Sequence, residues 1–266
     1  MNKSKLAIGI IGIAATVVFL VIAIISIAGN KSFSLLNSFV TELGKYPAGY
    51  LASAQQLTFN IGLVMSGLLV SVFMIGYGIL KREKMFVFTA FFGVLTGVLI
   101  AAQGVITLNV ASVQYIFTFM LFVSAALTCA MFIVSSLLAD KLAQISLASV
   151  LVAFAAGVVS IIFAVFVQIG NIPRILSVPF ELRITLIPFT MIEWAALLLI
   201  FAFVTLLGVK MVMNKEAHVP KTKAAKAPKA VQAKAPKAKA AKAPKTSKVK
   251  VPKVKVKKAN NRNMDF

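Results

Sequence analysis

The sequence predicts an all-α protein: a polytopic membrane helix bundle of six transmembrane helices, both termini cytoplasmic, with a disordered lysine-rich C-terminal tail. Three observations predict it. Residues 1–213 hold six continuous apolar runs, each near the ~20 residues a helix needs to cross hydrocarbon. The composition is 60% hydrophobic with mean hydropathy +0.95, too apolar for an ordinary soluble domain. The charge is split: residues 214–266 carry 17 Lys and Arg against Glu216 and Asp265, whereas the rest carries 11 basic and 5 acidic side chains.

The runs fall at about 6–28, 59–80, 85–105, 115–138, 142–167 and 189–213. The first follows Lys3 and Lys5 and outruns the apolar region of a secretory signal peptide, so an uncleaved anchor is expected. Cleavage after Ala28 is the alternative and would leave five spans in the same orientation. The second and third are separated only by "KREK" (81–84), the fourth and fifth by "ADK" (139–141), and both junctions force antiparallel hairpins. None of the runs alternates with period two, so helices are predicted and barrel strands are not. With the N-terminus inside, Lys3, Lys5, Lys81, Arg82, Lys84, Lys141 and the whole tail are cytoplasmic, against Lys31, Lys45, Arg174 and Arg183 outside. The positive-inside rule then places both termini in the cytoplasm, and a multi-pass protein of the cell membrane is expected.

Two long loops, 29–58 and 168–188, share the outer side and are where an external site would be built. In the first, Leu36, Phe39, Val40 and Leu43 are helically spaced between Ser34 and Gly44. An amphipathic helix capped by Ser34 is expected there, lying in the interface or packed over the bundle. Polar residues cluster on the same side: Glu42, Asn60, Arg174, Glu181, Arg183 and Glu193. Asn60 is expected to be half hydrated and to cap the second span. Glu193 lies about one turn into the sixth span beside Trp194, and an ionised carboxylate there needs a partner, for which Arg183 or Arg174 is expected. The cluster serves either as a pocket for a lipid headgroup or as pairing that fixes the outer loops. Gln103 lies near the outer end of the third span. Gly93 and Gly97, and Gly62 and Ser66, have the four-residue spacing of close helix contacts, within the bundle or at a homo-oligomer face.

The stretch "VTELGKYPAGYLASAQQLTFNIGLVMSGLL" resembles the opening of a prokaryotic membrane family, domain of unknown function 998. The likeness rests on Glu42-Leu43-Gly44, Phe59-Asn60, Gly62 and Gly67, and later on "PFELRI" before a Trp-containing last helix. It covers roughly 6–212. Leu182 separates Glu181 from Arg183, unlike the family's Glu-Arg element, and Asn109 and Gln114 stand where that family often has a His. The resemblance implies six helices and, through distant similarity to Frag/DRAM/Sfk-type membrane proteins, a place in lipid or membrane homeostasis.

Catalysis finds little footing. Cys129 and His218 are the only residues of their kinds, and no Ser/His/Asp set or HExxH motif is present. No cofactor and no metal site is expected.

The tail is periodic. Prolines at 220, 228, 236, 244 and 252 recur every eight residues, each followed by Lys. Regular proline forbids a continuous helix, and no apolar face is available for burial. The lysines, among them Lys221, Lys226, Lys229, Lys234, Lys237, Lys242, Lys245, Lys250, Lys253, Lys257 and Lys258, offer point charges without bidentate base reading. No aromatic precedes Phe266, so base stacking is not the mode. The expected partners are the lipid bilayer and, through the tail, DNA, ribosomal RNA or anionic lipid. The sequence therefore reads as a non-enzymatic membrane protein whose tail tethers a polyanion. The alternative is a lipid-binding, lipid-homeostasis or transport protein with its site in the outer loops.

Overall fold

The computed structural model describes residues 3–30, 33–36, 38–45, 53–81, 83–106, 111–138, 147–168 and 188–213. The tail lysines, and Arg174, Glu181 and Arg183, lie outside the described residues. Among the described residues, six α-helices are long and apolar enough to cross a membrane: α1 (Lys3–Gly29), α2 (Ala54–Lys81), α3 (Lys84–Val105), α4 (Ala111–Leu138), α5 (Leu147–Gln168) and α6 (Pro188–Met213). Among the described residues there is no strand.

α2 starts five residues before its apolar run because a capping box sets its end. The Gln56 N–H donates to Ser53 Oγ at 3.3 Å, and the Ser53 N–H donates to Gln56 Oε1 at 2.8 Å. Consequently Asn60 sits well inside the helix and caps nothing.

The helices form a closed ring in chain order, each packed on its neighbours, with α1 returning to α6. In lipid no hydrophobic drive joins helices, so packing and interhelical hydrogen bonds must hold this ring. Its seams bring backbones together. A Cβ on Gly67 of α2 would stand 2.5 Å from the Gly97 carbonyl of α3, and a Cβ on Gly9 of α1 would stand 2.7 Å from the Gly208 carbonyl of α6. No methyl fits at either place. Gly62, Gly93 and Gly97 thus face other helices of the same chain, Gly62 against Ile22 and Gly93 against Met74.

The interior is aromatic. Phe19 stacks on Phe201 with centroids 4.3 Å apart, and Phe122–Phe163 and Phe132–Phe203 meet edge to face. Outward faces such as Ile10, Val17, Val21 and Ile24 of α1 and Leu151, Phe154 and Ile161 of α5 are exposed, as lipid contact requires.

Candidate functional site beneath a short plug

Residues 33–45 enter one end of the ring. The segment begins as a single turn: the Ser38 N–H donates to the Ser34 carbonyl at 2.9 Å, and the Leu36 N–H donates to Ser34 Oγ at 3.3 Å. It then stops being α-helical. Phe39 is extended (φ −70°, ψ 150°), and a 3₁₀ helix spans only Val40–Gly44. The reason lies in the acceptors. The Phe39 N–H donates to Glu42 Oε2 at 2.8 Å, and the Val40 N–H to Glu193 Oε2 at 2.7 Å. Two consecutive amides are thereby taken by carboxyl groups and cannot close α-turns. The amphipathic helix expected over 34–44 is accordingly a short 3₁₀ plug, and Phe39, Val40 and Leu43 point into the bundle, no more than 2% exposed. Leu36, expected on that same face, is 47% exposed.

Two helices hold the plug. On α6, Thr190 Oγ1 donates to the Leu36 carbonyl (3.0 Å) and Trp194 Nε1 to the Ser38 carbonyl (3.2 Å), while Glu193 takes the Val40 amide. These positions are i, i+3 and i+4, one helical face. On α2, one turn apart, Gln56 Nε2 donates to the Lys45 carbonyl (2.6 Å) and Asn60 Nδ2 to the Gly44 carbonyl (3.1 Å). Asn60 is buried rather than half hydrated, and its amide lies so close to Gly44 that a side chain there would collide with it.

Under the plug is a cavity lined by Val40 and Thr41 and by residues of α2, α3, α4 and α6, including Gln103, Thr118 and Glu193. It leaves about 20 Å³ for the centre of a water-sized molecule, enough for one water. A second cavity, which leaves about 10 Å³ for the centre of a water-sized molecule, lies deeper. Its walls repeat those of the first at seven-residue steps: Leu63 becomes Val70, Gln103 becomes Thr96, Thr118 becomes Ala125, Phe122 becomes Cys129 and Leu197 becomes Val204. Seven residues are two helical turns, or ~10 Å along the axis.

A polar seam between α3 and α4 runs beside both cavities. Gln114 Nε2 donates to Gln103 Oε1 (3.4 Å), and Gln103 Nε2 donates to Thr118 Oγ1 (3.0 Å). Thr96 Oγ1 meets Ser124 Oγ at 3.0 Å and Thr128 Oγ1 at 3.2 Å, and Thr89 meets Ser135 at 3.3 Å.

Of the residues singled out in the sequence, Glu42, Asn60 and Glu193 gather around the plug, Glu42 and Glu193 being 5% and 2% exposed. Glu193 is met by the Val40 amide, and Arg174 and Arg183, the partners expected for it, lie outside the described residues. Sequence reasoning missed Thr190, Gln56 and Thr118. The signals were there: i, i+3, i+4 spacing at 190, 193 and 194, and seven-residue spacing at Thr89, Thr96 and Gln103. Among the described residues no group of three or more His, Cys, Asp or Glu could hold a metal. No protein-family model, curated protein or solved structure matches this chain.

Proposed function

We propose that this is a non-enzymatic membrane anchor, both termini cytoplasmic, whose polybasic tail holds nucleic acid or another polyanion against the inner face of the cell membrane. The observation that carries the reading is the fivefold Pro-Lys octad, rich in lysine, that follows directly on α6. Counterion release makes such a chain bind polyphosphate regardless of sequence, and an anionic leaflet would attract it at ~1 kcal/mol per lysine. Among the described residues, the two cavities named above are each no larger than a water needs, which is in keeping with an anchoring role. The positive residues of the N-terminus and of the α2–α3 junction support a cytoplasmic placement of both termini, which puts the plug outside.

A second reading, a lipid-binding, lipid-homeostasis or transport protein, is favoured by the two buried carboxyls at the plug, which anchoring alone does not need.

The test is retention of duplex DNA, structured RNA and anionic vesicles by the full chain in neutral nanodiscs, compared with the chain ended at Met213. The tether reading expects binding by the full chain only. For about eight phosphates neutralised, log affinity falls with log salt at a slope of roughly −7. Equal retention by both chains, or none at ~0.15 M salt, where charges are screened within ~8 Å, overturns it.

A further inference from the structure

We propose that the Met213 end of the bundle binds the phosphate of an anionic phospholipid headgroup among Lys5 of α1, Lys81 of α2 and Lys210 of α6. The site is built on the bundle and is independent of the tail.

Helix packing brings the three lysines to one end. Ile8 of α1 fills the space over Gly76 of α2, and Gly9 of α1 lies against the Gly208 carbonyl of α6. Lys5, Lys81 and Lys210 each stand within five residues of these crossings, no more than ~8 Å along a helix axis.

Helical register sets them on the inward faces. Lys81 follows Tyr77 by four residues, Lys210 follows Leu207 by three, and Lys5 precedes Gly9 by four, so each stands one turn beyond a buried position. Tyr77 and Leu207, with Phe86 and Phe132, are buried where the axis closes. Lys81 Nζ sits 5.3 Å from the centre of the Phe86 ring, and Lys81 is near enough to Lys210 for the two charges to act on each other. Lys84 is the contrast. Three and four residues after it come the exposed Val87 and Phe88, so it stands on the lipid-facing side of α3.

Charge and surroundings choose the ligand. Among the described residues this end carries Lys3, Lys5, Lys81, Lys84 and Lys210 against Glu83, whose charge reaches Tyr77. Arg82, Asp140 and Lys141, near in sequence, lie outside the described residues. Each lysine ammonium is a compact charge with three donors, which suits the spread oxygens of a phosphate. Basic pockets between helices at a membrane face take lipid headgroups in this way. What adjoins the lysines favours a lipid over a free anion. Ile10 of α1, Ile79 of α2 and Met213 of α6 are exposed within five residues of them, an apolar surface for acyl chains next to the headgroup site.

The experiment uses the full chain in neutral detergent micelles at ~0.15 M salt, with phosphatidylglycerol, phosphatidylcholine or inorganic phosphate added. Lysines are acetylated with an amine-reactive ester for a fixed time, and each site is read by peptide mass spectrometry. With phosphatidylglycerol at about ten times its Kd, acetylation of Lys81 and Lys210 slows about tenfold by mass action. Lys84 changes little, and phosphatidylcholine protects none of them. The midpoint of thermal unfolding rises over the same range of phosphatidylglycerol. Lys81→Gln combined with Lys210→Gln moves that rise to about 25-fold more lipid, at about fivefold per lysine. If the double variant does not fold, the labelling of the unaltered chain decides alone. Tail lysines are read in the same spectra, so protection confined to the tail overturns the bundle site and leaves the tether standing. Equal protection of Lys84 and Lys81 overturns it too, as contact with any anionic surface. Protection by inorganic phosphate without protection by phosphatidylglycerol overturns the lipid and makes a free anion the occupant.

Discussion

Consider Glu193→Ala. The change removes the acceptor of the Val40 N–H, a donor on a residue only 1% exposed, and leaves it facing the small cavity beneath the plug. A hydrogen bond to a charged group contributes about 1.5–3 kcal/mol, and an orphaned buried donor costs about 1–3 kcal/mol. Against this stands the relief of no longer burying the carboxyl, a term that offsets much of the pair's worth. A net loss of about 2 kcal/mol remains on this balance, and it falls on the plug rather than on α6, where Ala is the better helix former. Local opening of 38–44 then becomes about 30-fold more frequent, at 1.4 kcal/mol per factor of ten. The assay is amide hydrogen exchange by mass spectrometry on the full chain, with the peptide covering 36–45 compared with peptides from α3 and α4. The expected result is faster exchange confined to the plug, with Glu193→Gln, which keeps an oxygen acceptor, much nearer the unaltered chain. Unchanged exchange at 38–44 in the Ala variant would refute the latch, and so would equal acceleration throughout the bundle.

Two further substitutions probe the ring. Gly97→Leu places a side chain 2.7 Å from the Gly67 carbonyl, where only backbone can yield, so α2 and α3 must part and stability falls by about 1–3 kcal/mol in steric-trapping or detergent unfolding measurements. Thr96→Val keeps shape but loses the hydroxyl contacts to Ser124 and Thr128. At ~0.6 kcal/mol for an average interhelical bond in a membrane, the cost is about 1 kcal/mol by the same measurement. A loss several times larger would mean the seam does more than hold α3 to α4.

The spans were legible because hydrocarbon imposes a length on any crossing helix, and continuous apolarity cannot hide. The start of α2 was less so: its signal is Ser53 with Gln56, two polar residues outside the apolar run. The plug shows a different limit. Leu36, Phe39, Val40 and Leu43 were picked out as one apolar face by their spacing, yet only the last three are buried, and the conformation that buries them is set by Glu193, 153 positions away in the chain. Spacing reports which side chains seek the interior; it does not report a distant carboxyl capturing an amide. Asn60 and Glu193 were picked out as polar residues near apolar spans, and the partners found for them among the described residues are backbone groups, which a search for opposite charges among side chains passes over.

The seven-residue recurrence of the cavity walls also explains why the axis closes where it does. One heptad below the second cavity, Val70, Gly93, Ala125 and Ile200 give way to Tyr77, Phe86, Phe132 and Leu207, all of them buried. Tyr77 meets Phe86 edge to face at 6.1 Å. Where Gly93 and Ala125 leave space, a cavity persists; where aromatics occupy the same register, it is filled. Polarity declines in the same order, from Glu193 and Gln103 through Thr96 and Thr128 to Thr89 and Ser135, whose hydroxyls bond each other. A strict seven-residue pattern on helices of 3.6 residues per turn implies left-handed coiling, which keeps these layers facing one another. The axis is thus polar and hollow at the plug and apolar and full toward Met213, after which the lysines begin. The plug therefore sits at the N-terminal end of α6, with a packed aromatic layer between it and the Met213 end, and no polar chain among the described residues joins the two ends.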